Sequence, residues 1–154
     1  MELKHFKPAE FTEDLRPVFD KMHPDFLLKL DTCRDLCGVP FAITSSYRSP
    51  EKNRRVGGAP GSMHLKGRAV DITCPDGVTR AIIMKTALNL GLSVGVMRNG
   101  LHLDDREEQI VFHYYQKYGQ SSSEAAKAYD DAAVVYNKDF TNLNFPDRIR
   151  QGGG

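Results

Sequence analysis

No apolar run in the 154 residues is long enough to cross a bilayer, and the opening M-E-L-K-H-F-K-P has no apolar stretch of the secretion-signal kind. The chain is expected to be soluble, made in the cytoplasm and not inserted in a membrane. Net charge is nearly absent as well. A formal +1 from 21 basic and 20 acidic residues gives no global pull toward nucleic acid or an anionic surface, so neither is an expected partner. Three cysteines are too few, and odd in number, for a closed disulfide framework; Cys33, Cys37 and Cys74 read as buried free thiols. There is no internal repeat. A chain of this length with 40% hydrophobic residues fits one domain, which buries roughly 68–70% of its unfolded surface without staples.

What is present reads as alternating helices and short strands. Phe6, Pro8, Glu10 and Phe11 suggest an irregular arm anchored by aromatics. Phe26, Leu27, Leu30, Cys33, Leu36 and Cys37 recur at helical spacing, with Gly38 as stop and Pro40 beyond it, so the spacing predicts a helix from Pro24 to Cys37. Phe41 to Ser45 reads as a strand running into a polar turn, S-Y-R-S-P. Residues 50–62 have no clear period and read as a long, functional loop.

Arg68 to Thr73 reads as a strand with Val70 and Ile72 on one face and Ala69, Asp71 and Thr73 on the other. Pro75-Asp76-Gly77 reads as a turn leading to a second helix, Thr79 to Leu90, with Gly91 as its stop. Two strands follow, Ser93 to Met97 and Leu101 to Asp104, joined at the Asn99-Gly100 pair, and Ile110 to Tyr115 is a candidate edge strand. Residues 117–154 are expected to add a helix from the Ser121–Ser123 run and Glu124 to about Tyr136, then a tail tied back by Phe140, Leu143 and Phe145.

The chemistry concentrates in S-M-H-L-K-G-R-A-V-D, residues 62–71. His64 and Asp71 bracket a glycine-containing turn, and His102 shares a strand face with Asp104 because Leu101 and Leu103 take the other. If that strand lies beside the Asp71 strand, one sheet face collects Asp71, His102 and Asp104, with His64 delivered from the loop. Two imidazoles and a carboxylate form a tetrahedral zinc site with one open position, as catalytic zinc sites do. The same residues read equally well as two ordinary histidines and a buried aspartate satisfied by hydrogen bonds.

A resemblance decides between these readings. F-K-P-A-E-F, I-T-S-S-Y-R-S, S-M-H-L-K-G-R-A-V-D-I and, after a helix, G-L-H-L-D-D stand in this order. Together they resemble the zinc D-alanyl-D-alanine carboxypeptidase family over roughly residues 3–115. That family groups cell-wall carboxypeptidases, vancomycin-resistance dipeptidases and phage L-alanyl-D-glutamate endopeptidases, and shares its fold with the hedgehog signalling domain. The resemblance implies an α+β domain with a small antiparallel sheet, two helices on one face and a zinc cleft on the other. Residues 1–116 are expected to form this zinc peptidase-like domain, and residues 117–154 to pack on it.

By the same resemblance His64, Asp71 and His102 are the ligands of Zn2+. Arg48 binds a substrate carbonyl or carboxylate and stabilises the oxyanion, which its planar guanidinium can do bidentately. Ser62 orients substrate or the His64 loop. The implied substrate is the peptide stem of peptidoglycan, cut at D-Ala-D-Ala or L-Ala-D-Glu. A wall-acting enzyme with no export signal suggests a phage endolysin or a hydrolase carried in a virion.

One position departs from the pattern. Many relatives carry Asp or Glu three residues before the second ligand histidine, as general base; here Asn99 stands there. An amide accepts no proton at neutral pH, and loss of a general base costs about 10²–10⁴-fold in rate. Asp104 is the best substitute and Asp105 a poorer one, unless Asp104 instead accepts the N–H of a ligand histidine. Asn99 thus also admits a non-catalytic domain, stabilised by zinc and binding cell wall or protein.

Overall fold

The computed structural model describes residues 1–74 and 76–113. The C-terminal helix and tail expected over 117–154, and the proline of the expected 75–77 turn, lie outside the described residues.

The arm runs through residues 8–10 as a single 3-10 turn into a two-stranded hairpin, β1 (Thr12–Glu13) and β2 (Arg16–Pro17). Its aromatics anchor it as expected: Phe6 and Phe11 are buried and meet edge to face at 5.9 Å, and Phe6 also packs on Phe41. At the hairpin tip Asp14 and Leu15 both have positive φ, and Asp14 pairs with Lys52 and Arg55.

Helix α1 spans Pro24–Cys37, with Pro24 at its start and Gly38 at φ 65° closing it in the left-handed conformation that glycine adopts without strain. Phe26, Leu27, Leu30, Cys33 and Cys37 are buried, whereas Leu36, expected on the same stripe, is exposed. It falls one residue from Cys37, about 100° around the helix, and so turns off the core face. Strand β3 (Ile43–Ser45) is shorter than expected.

The largest difference lies in residues 50–62. A helix, α2, occupies Pro50–Arg55. Its signals are local rather than periodic: the Ser49 hydroxyl caps it by accepting from the Lys52 N–H, Pro50 takes the first turn, Glu51 follows, and Arg54 and Arg55 sit at the negative end of the dipole. Six residues are too short for a 3.6-residue period to show.

Strand β4 (Ala69–Thr73) is followed by α3 (Gly77–Asn89), capped by Asp76, which accepts from the Thr79 N–H. Strands β5 (Ser93–Met97) and β6 (Gly100–Asp104) form the expected hairpin, but Arg98 and Asn99 are its turn residues and Gly100 already pairs with Met97 and Thr73. Glycine is required there because a Cβ would lie 2.2 Å from the Ile72 carbonyl oxygen, not because the turn demands it.

The edge strand is β7 (Val111–His113), and the main sheet has the order β3-β4-β6-β5-β7. It is mixed rather than wholly antiparallel, since β7 runs parallel to β5. Gln109 and Ile110 hold the connection across the start of β5, bonding to Leu88, Leu92 and Ser93.

Period-two alternation sorts the sheet into two chemically different faces. Val70, Ile72, Leu101, Leu103 and Val94 join Phe26, Leu30 and Ile83 in the core under α1 and α3. Each such leucine, fully buried, contributes about 1.5–3 kcal/mol. The cysteines are free and buried as expected. Burial first, then the neighbouring Cys37, pushes the Cys33 thiol up to about 12. Native protein is therefore expected to leave Cys33 unmodified by a thiol reagent at pH 8 and to label it only after denaturation, as peptide mass mapping can record.

A candidate metal centre on the polar face of the sheet

The opposite face carries one row across all five strands. Ser45 pairs with Asp71, Asp71 with His102, His102 with Gly95, and Gly95 with Phe112. Directly opposed residues share a face, so the pairing that buries Leu101 and Leu103 on one side places Asp71 and His102 together on the other.

His64 arrives from a 3-10 turn, Met63–Lys66, which Ser62 caps by accepting from the His64 N–H at 3.3 Å. Gly67 closes the turn at φ 64°. The His64 ring is then held from behind, its Nδ1 donating to the Ser46 carbonyl at 2.6 Å, which leaves Nε2 bare and pointing inward.

Nε2 of His64 lies 3.2 Å from Asp71 Oδ1 and 3.2 Å from His102 Nδ1, and His102 Nδ1 lies 2.9 Å from Asp71 Oδ1. Three electron-pair donors face a common point, and all three residues are buried. Bare lone pairs this close repel one another unless a proton or a cation lies between them. The edges of a zinc tetrahedron with bonds of about 2.0–2.1 Å measure about 3.3 Å, so the triangle needs to open by only a few tenths of an ångström. The donor set and its spacing fit a metal ion such as zinc.

The surroundings complete each ligand. Arg48 donates from Nη2 to Asp71 Oδ2 at 2.6 Å and from Nε to Ser45 Oγ at 3.0 Å, so its guanidinium stands beside the three-donor point. Asp104, fully buried, accepts from His102 Nε2 at 2.8 Å. Arg106 in turn grips both oxygens of Asp104. Phe112 tilts against the His102 ring at 5.5 Å across the strand position where Gly95 has no side chain. Asp105 belongs elsewhere: it pairs bidentately with Arg68 at 2.8 and 2.7 Å, tying the end of β6 to the start of β4.

Charge follows from these contacts. Burial opposes ionisation of Asp71, but with no metal bound a proton shared with the imidazoles of His102 and His64 outweighs it and holds the carboxyl below the usual range. Burial likewise opposes Asp104, and Arg106 and His102 reverse it. Burial lowers His64, which favours the neutral imidazole that a metal requires. For His102 burial also lowers, but Asp104 and Asp71 together raise it.

Of the residues singled out in the sequence, His64, Asp71, His102, Arg48 and Asp104 are brought together, and Ser62 supports His64 through the backbone. Asn99 is not brought in. It is exposed on the β5–β6 turn, its carbonyl accepts from the Cys74 N–H, and its side chain bonds to none of the three ligand residues. Sequence reasoning passed over Ser46, Arg106 and Phe112. Ser46 contributes only a carbonyl, which no residue type announces, whereas Arg106 stands at a legible H-x-D-x-R spacing.

No curated protein matches the sequence. Among solved structures, the chain is similar to the crystal structure of the Serratia marcescens L-Ala D-Glu endopeptidase ChiX, with 21% identity and a TM-score of 0.41 over 55% of this chain and 80% of that one. Residues 4–104, which hold the arm, the core helices and the whole His64-Asp71-His102 cluster, match Peptidase M15, and the chain belongs to that family.

Proposed function

We propose that the protein is a zinc-dependent peptidase cutting the stem peptide of peptidoglycan, at D-Ala-D-Ala or L-Ala-D-Glu. The observation that carries this reading is the convergence of His64 Nε2, Asp71 Oδ1 and His102 Nδ1 on one point with Arg48 beside it. His64, Asp71 and His102 would hold the zinc, which would supply Lewis acidity toward the scissile carbonyl and toward water. Arg48, oriented through Nη2 and Nε, meets the carbonyl oxygen and steadies the charge that grows there. Asp71 neutralises one unit of metal charge and leaves the site electrophilic. Asp104 keeps the His102 N–H on Nε2. A setting as a phage endolysin or virion-borne hydrolase fits such a substrate.

A second reading, a zinc-stabilised domain that binds cell wall without cutting it, draws on one observation. Among the described residues, the carboxylates touching the cluster are both engaged: Asp71 by His64, His102 and Arg48, and Asp104 by His102 and, through both oxygens, by Arg106. Neither stands ready as a general base. Digestion of purified peptidoglycan, read by mass spectrometry of released muropeptides, separates the two. Zinc-loaded protein is expected to release fragments whose masses identify the bond, and chelator to stop it; intact peptidoglycan in both samples leaves only binding. Because Asn99 is exposed on the hairpin turn and its side chain bonds to none of the ligand residues, Asn99→Asp is expected to change the rate by less than about threefold. A rise of about 10²-fold or more would return the general-base role to position 99.

A further inference from the structure

We propose that Arg106 is a positioning residue for the metal centre, acting through Asp104 to set the ring of His102. This rests on the zinc reading above and extends it to a residue that touches neither metal nor substrate.

The geometry is a closed circuit behind one ligand. The Arg106 backbone N–H and Nε donate to Asp104 Oδ1 at 3.1 and 2.8 Å, and Nη2 donates to Oδ2. The same Oδ2 accepts from His102 Nε2. The Arg106 guanidinium also lies over the Phe112 ring, 5.1 Å from its centroid, and that ring packs against His102. His102, Asp104, Arg106 and Phe112 thus each touch two others of the set.

A carboxylate on β6 can point its oxygens in more than one direction, and with a single partner it would follow His102 rather than direct it. The planar fork of arginine removes that freedom, because two parallel N–H bonds fix the carboxylate plane as well as its position. With the plane set, Oδ2 faces Nε2, the imidazole proton stays on Nε2, and the Nδ1 lone pair is aimed at the point shared with His64 and Asp71. Phe112 blocks the alternative ring tilt. Arg106 retains 32% of its side-chain exposure, so it is also the member that can be replaced without opening the core.

The test uses the full chain as wild type, Arg106→Gln and Arg106→Lys. Zinc affinity is measured by competition with a chromophoric chelator, ligand geometry by the visible spectrum of the Co2+-substituted protein, and folding by circular dichroism of the metal-free forms. Arg106→Gln is expected to bind zinc about 10–100-fold more weakly and to shift the Co2+ bands. Arg106→Lys, which keeps the charge but loses the fork, is expected to fall between Gln and wild type. A fold-holding salt bridge with no positioning role would lower thermal stability and leave the Co2+ spectrum in place, and that result overturns the proposal. If Arg106→Gln does not fold, the lysine variant decides: a loss of affinity of about threefold or more supports the proposal, and wild-type affinity with a wild-type spectrum overturns it. Wild-type protein that takes up no stoichiometric zinc overturns the zinc reading itself, whereas zinc-binding wild type with indifferent variants overturns only the role of Arg106.

Discussion

Asp71→Asn is expected to abolish stoichiometric zinc binding at micromolar protein and to lower muropeptide release by about 10³-fold. The size follows from the several kcal/mol that a metal contributes as Lewis acid, at 1.36 kcal/mol for each tenfold in rate. Asp71 is the anion on which the other groups converge, since His64 Nε2 and His102 Nδ1 face its Oδ1 and Arg48 donates to its Oδ2. Asparagine keeps the shape and removes the charge, so two neutral imidazoles and an amide are left to hold a divalent ion. Arg48, whose side chain is 17% exposed, also loses its counter-charge. Breaking a buried pair costs about 3–5 kcal/mol, and partial contact with water places Arg48 at the low end of that range. Equilibrium zinc dialysis, a fragment assay and thermal unfolding of the metal-free protein each check one part.

The same substitution has a pH signature in the metal-free protein. Burial opposes the Asp71 charge, yet a proton shared with the imidazoles of His102 and His64 leaves its carboxyl below the unfolded value. A carboxyl lowered in the folded state contributes stability that is complete above the unfolded value of about 3.9 and is lost as pH falls through the folded one. Wild type should therefore lose stability below about pH 4 more steeply than Asp71→Asn. Equal acid limbs in urea titrations of the two proteins would show that Asp71 carries no such linkage.

Alternation and helical spacing made most of the framework legible, because those periods report which side chains are buried. The faces of β4 and β6 follow from Val70 with Ile72 and from Leu101 with Leu103, and the pairing of Asp71 with His102 realises the juxtaposition that the alternation allows. Elements with too few residues to show a period are less legible. Helix α2 is declared by its cap at Ser49 and by Pro50, not by its apolar residues. The parallel placement of β7 depends on side-chain bonds from Gln109 and on Ser93, which join residues 17 or more apart in sequence. In the site, residue types announced the three inward-facing donors, while the groups behind them, the Ser46 carbonyl and the Arg106 fork, emerged only from the fold. Asn99 shows the converse. Its place in a spacing pattern drew attention to it, but the hairpin turn carries it to the surface.

Gly67→Ala is expected to destabilise the protein by about 3 kcal/mol or more, because two separate costs meet at that position. The first is conformational. Gly67 ends the His64 turn at φ 64°, where an L side chain costs roughly 1–2 kcal/mol. The second is steric and involves backbone, which cannot swing aside. A Cβ at Gly67 would stand 2.1 Å from the Lys21 carbonyl oxygen and 2.9 Å from Met22 Cα, and the Gly67 carbonyl is itself bound by the His23 N–H at 2.8 Å. Relieving the clash moves either the entry to α1 or the turn that carries His64, so zinc affinity should fall together with stability. Two other glycines separate the contributions. Gly38 has φ 65° with nothing within 4 Å of the added carbon, so Gly38→Ala carries the conformational cost alone; Gly61 has neither constraint and should tolerate alanine within about 0.5 kcal/mol. At about 2–4 °C per kcal/mol for a chain of this size, the melting temperature should fall least for Gly61→Ala, further for Gly38→Ala and by about 6–12 °C for Gly67→Ala. Only the last should weaken zinc binding, since Gly67 alone of the three sits against the backbone that positions a ligand. A Gly38→Ala loss equal to that of Gly67→Ala would mean that the contact with Lys21 contributes nothing and that φ alone accounts for the glycine.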